Sequence, residues 1–466
     1  MLLIPKTKSS RTLWSWLQYL TYFRLIPISV GILCVLCVLQ RHRLESDSFY
    51  ITANVWKQNV SNSLLPGCKS LINGDQTAVS RWATYSGFSV EELLRMTSGD
   101  CSLLKERIHF PNKPLTEEEE QFPLAYGMVV YKNPEQVIRQ LSAFYWPQNL
   151  YCITYDQKSS ASFARIIRNL AENCFNNVIV PEKQYRMEWC SKGQLLATRS
   201  CVESLNSRTD HPWKYFQYLS GFDLPLRTNY EMVQIMKVLN GSSDSVLRAV
   251  PHHDYSKNWT NIPGNLTPLK GSMSVTFSRA TTDAILKDQI ATEYFEYLLK
   301  TNETKYIEDM CPDEAYWTTV LYNDPIIKLP HKTVGEQCIK QLKSNRFNLK
   351  KRKSDISRYQ TWLEDLAMWN INGAKWKVAT NCHGKYFRYS CVFGIGDLPI
   401  LVKKPHLVAH KLYLDYQPTA YFCLNEWLRN RTYNQPKFDV SIYKRLIDVR
   451  YAQANGEERD NIECFA

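Results

Sequence analysis

The stretch FPLAYGMVVYKNPEQVIRQLSAFYWPQNLYCITYD, residues 122–156, decides the fold. AYGMVVY (125–131) is an apolar run of strand length. NPEQVIRQLSAFY (133–145) has helical spacing, with Asn133 as cap and Pro134 in the first turn. NLYCITYD (149–156) is a second strand, SASFARIIRNLAENC (160–174) a second helix and NVIVP (177–181) a third strand. Strands and helices alternate at the pitch of βαβ units, which predicts an α/β protein with a mostly parallel sheet covered on both faces.

Outward from this core, SKGQLLATRSCVESLN (191–206) reads as a long helix and KYFQYLSGFDLPL (214–226) as a strand running into a turn. NYEMVQIMKVLNG (229–241) is a helix ended by Gly241, and GSMSVTFSR (271–279) a strand. Three segments read as exposed: the acidic linker LTEEEEQ (115–121), the polar 242–268 and the basic 344–358, with KKRK at 350–353. No internal repeat is visible. No GxGxxG follows the first strand, so a dinucleotide fold is not expected. In an open α/β sheet a ligand sits beyond the carboxyl ends of the strands, which here carry Tyr131, Asp156 and the Gly221–Pro225 turn.

The 466 residues suffice for a sizeable core. The formal charge of +12 lacks any zinc-finger spacing or RNA-binding signature beside it, so nucleic acid is not an expected partner. At the N-terminus, LIPISVGILCVLCVL (25–39) follows Lys6, Lys8, Arg11 and Arg24 and precedes Arg41 and Arg43. The run is shorter than the about 20 residues of a typical span, but snorkelling flanks extend it. An uncleaved signal anchor is favoured over a cleaved signal peptide, and the basic bias keeps the N-terminus cytosolic. The expected division is a cytosolic tail (1–24), a transmembrane anchor (25–40), a lumenal stem (41–66), a catalytic domain (67–437) and a C-terminal extension (438–466). Of 14 cysteines, the twelve outside the anchor contain no CxxC, which favours disulfides over zinc. Six N-x-S/T sequons, at Asn59, Asn240, Asn258, Asn265, Asn302 and Asn430, fit a lumenal body.

EDMCPDEAYWTTV (308–320) carries the chemical question. Pro312 followed by Asp313 and Glu314 is an ordinary helix start, since carboxylates favour the positive dipole end. One of the two can also be a catalytic carboxylate, because a helix start fixes the backbone and leaves a side chain free to face a cleft. No D-x-D occurs anywhere in the chain.

FPLAYGMVVYKN, QNLYCITYDQKS, WKYFQYLSGFDLPLRTN, CPDEAYWTTV and CVFGIGDLPILVKKPHLVAHK occur in an order and spacing similar to the core-2/I-branching β-1,6-N-acetylglucosaminyltransferases. The resemblance runs from about Cys68 to about Trp427. It implies a GT-A-like fold and an inverting transfer from UDP-N-acetylglucosamine to the 6-hydroxyl of an acceptor sugar in a glycan or glycoprotein. It also implies a Golgi type II membrane protein with no cofactor or divalent metal. CPDE matches the family's S-P-D-E motif with Cys311 in place of Ser, which makes Glu314 the expected general base and Asp313 its helix-start support. Arg388 in KYFRYSC and Lys411 in VAHKL stand where the family's basic side chains replace the metal on the diphosphate.

Val129, Tyr131 and Asp156 fall at positions resembling the family's nucleotide contacts, although Tyr131 stands where His is usual and Asp156 can equally cap its turn. Trp189 either stacks near the donor or packs a loop, and Trp362 either stacks on the acceptor or is a core residue. The same resemblance implies disulfides Cys68–Cys423, Cys101–Cys174, Cys152–Cys201 and Cys382–Cys391, leaving Cys190, Cys311, Cys338 and Cys464 unassigned. The loop after NGSSDS (240–245) lacks a glutamate. A xylosyl- or glucosyltransferase of the same family, or a non-catalytic glycan-binding membrane protein, therefore stays open.

Overall fold

The computed structural model describes residues 67–75, 85–248, 261–300, 311–344, 352–353, 355–363 and 382–465. The anchor, the tail, the stem, Asn59, Asn258 and Asn302 lie outside them. Among the described residues no helix is long and apolar enough to cross a membrane.

The strands are β1 (Leu124–Val130), β2 (Leu150–Tyr155), β3 (Val178–Ile179), β4 (Tyr215–Ser220), β5 (Asp223–Pro225), β6 (Asp244–Ser245), β7 (Leu247–Arg248), β8 (Val275–Ser278), β9 (Arg352–Lys353), β10 (Lys385–Phe387), β11 (Ser390–Val392) and β12 (Val408–His410). The main sheet has the order β3-β2-β1-β4-β8-β6. β3, β2, β1 and β4 are parallel, and β8 and β6 add antiparallel strands at one edge. The helices used below are α1 (Pro134–Phe144), α2 (Ala161–Asn169), α3 (Lys192–Ser207), α4 (Asn229–Leu239), α5 (Arg279–Lys287), α6 (Gln289–Lys300), α7 (Pro312–Tyr322) and α8 (Pro418–Asn434).

Successive side chains of a strand face opposite sides, and β1 shows why both faces must be covered. Tyr126, Met128 and Val130 enter one core with Val137 and Leu141 of α1, Ile166 of α2 and Met232 of α4. Ala125 and Val129 enter the other with Leu195 and Val202 of α3 and Trp317 of α7. Helix starts follow their capping residues. Asn133 accepts from Gln136 N–H ahead of Pro134, and Thr228 and Glu231 form a capping box on α4. α4 ends on Asn240, left-handed with φ 45°, one residue before Gly241.

Among the described residues, parts of three segments expected to be exposed are built in. In LTEEEEQ, Glu117–Glu120 form a helical turn capped by Thr116. Glu119 is buried and accepts from Asn229 Nδ2 at 2.8 Å, the partner that makes its burial tolerable. Ser242 to Leu247 are buried, and β6 completes the sheet edge. The Asp244 carboxylate there accepts from Ile356 N, Ser357 N and Ser357 Oγ at 3.0, 2.8 and 2.6 Å. In the KKRK run, Lys353 is buried against Asp448 at 2.7 Å and donates to Ser245 O at 3.2 Å. A basic run looks solvated by composition. A buried carboxylate from more than ninety residues later decides otherwise for this one lysine.

That carboxylate lies in the C-terminal segment, whose Tyr443, Val449, Ile462 and Cys464 are core residues. The described residues hold six disulfides. They are Cys68–Cys423, Cys101–Cys174, Cys152–Cys201, Cys190–Cys311, Cys338–Cys464 and Cys382–Cys391. Asn240 and Asn265 are exposed, and Asn430 is half-buried within α8.

Candidate active site

The carboxyl ends of β1, β2 and β4 form one rim, because Val129 pairs with both Thr154 and Ser220. Val129 is buried beneath the rim. Tyr131 is 45 % exposed and meets the Phe222 ring edge-on at 5.5 Å. Asp156 is buried and already partnered: its Oδ1 accepts from Lys158 N at 3.0 Å and Met187 N at 3.3 Å. Its carboxylate therefore holds the 185–189 loop against the end of β2. Trp189, on that loop, is 68 % exposed.

Across the rim, β10 and β11 form a hairpin closed by Cys382–Cys391. Arg388 and Tyr389 make its turn, with φ of 48° and 63°. The chain at 359–363 pairs with this hairpin and with β12. Cys391 N donates to Thr361 O at 2.9 Å, Trp362 bridges Ser390, and Tyr359 N donates to Val408 O at 2.8 Å. Trp362 is thus held partly buried at the hairpin edge.

Lys411 follows β12 and is buried. Its Nζ donates to Phe387 O at 3.0 Å and lies 5.0 Å from the Phe387 ring and 5.7 Å from the Tyr413 ring. Lys132 Nζ stands 4.9 Å from the same Tyr413 ring. Burial, then the charges of Arg358, Arg388 and Lys132, push the Lys411 ammonium down to about 8. Three neighbouring cations thus oppose the charge of Lys411, and an anion bound among them would relieve that repulsion.

β12 also brings His410 to β5 and β4. His410 Nδ1 is 2.7 Å from Asp223 Oδ1 and 3.2 Å from Ser220 Oγ. One ring nitrogen faces both partners, so this trio does not relay a proton from serine to aspartate in the manner of a nucleophile triad. Burial, then Arg358, lowers His410 to about 4 despite Asp223, so it is neutral at physiological pH.

Glu314 stands at the start of α7, with its N–H bonded to Cys311 O at 2.8 Å. Its side chain is 27 % exposed, and Oε2 lies 3.1 Å from Lys270 Nζ. Asp313 is buried, and its Oδ1 has no hydrogen-bond partner among the described residues. Two residues beyond Lys270, Ser272 Oγ accepts from Arg358 Nη2 at 2.9 Å, which links the Lys270–Glu314 pair through the chain to one of the cations. Cys190–Cys311 ties the Trp189 loop to the residue that precedes α7.

Burial, then the Glu314 charge, raises Asp313 to about 8, so the folded protein holds a proton there that an unfolded chain releases near 3.8. The stability this proton contributes is complete below about pH 4 and is lost as pH rises through about 8. Asp313→Asn, neutral at every pH, removes that dependence. Its melting temperature relative to wild type should rise by a few degrees between pH 5 and pH 8, against a limiting slope of about 1.4 kcal/mol per pH unit. Parallel melting curves across that range would show that Asp313 is ionised in the fold.

Lys132, Lys270, Arg358 and the Asp223–His410 pair were not singled out by sequence reasoning. Arg358 shares the RYQTWLED stretch with Trp362, and Lys132 adjoins Tyr131, so both had a local signal. Lys270 had none, because its meaning is the contact with Glu314. Among the described residues the single cluster with metal-ligand spacing is Cys382, Cys391 and Asp397. Its cysteines are spent in a disulfide, and its carboxylate accepts from His383 N and Gly394 N at 2.7 and 2.8 Å.

An α/β sheet whose strand ends open on a cation cluster, with an accessible carboxylate beside it, suits transfer from a donor with an anionic leaving group, and the chain is a glycosyltransferase. The sequence profile of the Core-2/I-Branching enzyme family matches residues 124–400, and the chain belongs to that family of β-1,6-N-acetylglucosaminyltransferases. It is 30% identical over 394 residues to the rat beta-1,3-galactosyl-O-glycosyl-glycoprotein beta-1,6-N-acetylglucosaminyltransferase 3, covering 78% of this chain and 83% of the relative. Against the human protein of the same name it is 30% identical, covering 83% and 88%. The mouse N-acetyllactosaminide beta-1,6-N-acetylglucosaminyl-transferase is 28% identical, covering 89% and 96%.

Proposed function

We propose that this chain is a GT-A-like, inverting, metal-independent glycosyltransferase of the Golgi membrane. It moves N-acetylglucosamine from UDP-N-acetylglucosamine to the 6-hydroxyl of an acceptor sugar. The printed names of its relatives point to two acceptor classes, β-1,3-galactosylated O-glycoproteins and N-acetyllactosaminides. In this reading Glu314 takes the proton of the 6-hydroxyl as that oxygen attacks the anomeric carbon from the face opposite UDP. The bond from that carbon to the diphosphate breaks, and its electron pair stays on UDP. Arg388 and Lys411 meet the charge that appears on the diphosphate, and Arg358 and Lys132 add to the field. Tyr131 and Trp189 present exposed rings on the donor rim, beside Val129 and Asp156, and Trp362 borders the acceptor side.

The observation that carries the reading is the crowding of Lys132, Arg358, Arg388 and Lys411, with Lys411 held near the point of losing its proton. A binding module for neutral glycans has no use for that arrangement, whereas a diphosphate relieves it. The disulfides fit an oxidising lumen, and the apolar run at 25–39 between basic flanks fits a signal anchor.

The test is UDP release by the full chain in detergent with UDP-N-acetylglucosamine, given a β-1,3-galactosylated O-glycopeptide or an N-acetyllactosamine oligosaccharide, with and without EDTA. Acceptor-dependent release that survives EDTA is expected. Activity lost in EDTA and restored by Mn²⁺ would overturn the cation mechanism, and turnover only with UDP-xylose or UDP-glucose would overturn the donor.

A further inference from the structure

Residues 267–271 run along α7 and are bonded to it over nearly its whole length. Thr267 N donates to Asn323 Oδ1 at 2.8 Å, and Asn323 Nδ2 returns a bond to Thr267 O at 2.9 Å. Leu269 N donates to Thr319 Oγ1 at 2.9 Å. Gly271 N donates to Glu314 O at 3.0 Å, the backbone of the residue read as the base. Gly271 lies so close to α7 that a Cβ there would sit 1.7 Å from Thr318 Oγ1, so no side chain fits. One more bond fixes the far end, from Arg358 Nη2 to Ser272 Oγ.

Lys270 is therefore a flexible side chain on a rigid mount. Its Nζ reaches Glu314 Oε2 at 3.1 Å while both side chains remain partly open to solvent. A carboxylate that acts as a base needs one oxygen free for the incoming proton and a fixed plane. An ammonium on the second oxygen supplies both.

We propose that Lys270 is the positioning residue of this transferase: it holds Glu314 by Oε2 and leaves Oε1 to receive the acceptor proton. The proposal rests on Glu314 being the base. The proton moves from the acceptor hydroxyl to Oε1, no electron changes hands, and the ion pair with Lys270 weakens as Glu314 becomes neutral. Lys270 then releases or follows the carboxylate as the product leaves. The strap of 267–272 thereby joins the two halves of the reaction, since it carries Lys270 to the base and Ser272 to the Arg358 cation.

The test compares Lys270→Met and Lys270→Arg with the wild-type full chain. It measures transfer from UDP-N-acetylglucosamine to a β-1,3-galactosylated O-glycopeptide and, in parallel, acceptor-free hydrolysis of UDP-N-acetylglucosamine. For Lys270→Met, kcat is expected to fall by about 10- to 100-fold in both reactions, the size of effect a misplaced catalytic group produces. KM for UDP-N-acetylglucosamine should stay within about twofold, since Lys270 faces the base rather than the diphosphate. The melting temperature should hold, because the pair is partly exposed, and Lys270→Arg should recover most of kcat. Wild-type kcat in Lys270→Met overturns the proposal, as does a loss that tracks a lowered melting temperature and that arginine does not rescue. Glu314→Gln separates the two levels. If it is inactive while Lys270→Met is fully active, only the positioning role falls. If Glu314→Gln is itself fully active, the base assignment falls first and the positioning role with it.

Discussion

Glu314→Gln is expected to lower kcat for transfer by about 10²- to 10⁴-fold while UDP binds as before, the range that loss of a positioned general base produces. The glutamine keeps the shape of the side chain and its contact with Lys270, but it cannot accept a proton. The helix start is unaffected, because Glu314 contributes its backbone N–H to Cys311 O regardless of its side chain. Asp313 cannot substitute: it is buried and holds its own proton, with its ionisation pushed up to about 8. The check is single-turnover transfer beside calorimetric UDP binding. Full activity of the variant would mean that the acceptor hydroxyl loses its proton to another group, and it would also remove the basis for Lys270.

The second large effect is on the leaving-group side. Lys411→Met and Arg388→Met are each expected to lower kcat by about 10²- to 10³-fold, the scale set by removing one preorganised charge from a developing anion. They should weaken UDP binding as well, since the diphosphate already carries charge in the ground state. Lys411 offers a sharper signature than the rate. Burial, then Arg358, Arg388 and Lys132, hold it near 8, so part of it is neutral in mildly alkaline solution. A bound diphosphate favours the charged form and raises that value. UDP binding near pH 8 should therefore take up a proton, and UDP affinity should fall as pH rises through about 8. Calorimetry in two buffers of different ionisation heat measures the uptake directly. Lys411→Met should abolish it. UDP binding with no proton uptake in the wild type would show that Lys411 is fully charged before the donor arrives.

The α/β layering was legible in residues 122–181 because strand and helix periods are local properties of the chain. Runs such as AYGMVVY and NLYCITYD can only be buried strands, and Asn133–Pro134 and Thr228 mark helix starts wherever the rest of the molecule lies. The acid pair at the start of α7 was visible for the same reason. The choice of Glu314 over Asp313 came from the family resemblance and not from the helix start itself. The contact of Glu314 with Lys270 depends on the strap at 267–272, which is near α7 only in the folded molecule.

Composition misled where a distant partner reverses the solvation of a charge. Glu119 in an acidic run is buried by Asn229, and Lys353 in a basic run is buried by Asp448. Desolvating an ion is costly, and only a matched partner offsets it. A sequence read in one dimension holds both members of such a pair but not the distance between them. The same holds for the cation cluster. Lys132, Arg358, Arg388 and Lys411 are spread over almost three hundred residues, and each alone is an ordinary surface cation. The sequence by itself determined the layered sheet, the caps and the polarity of the strand ends. Only the tertiary structure decided which charges share a site, because electrostatic meaning comes from separation in space and from exclusion of water, and both are set when the layers close.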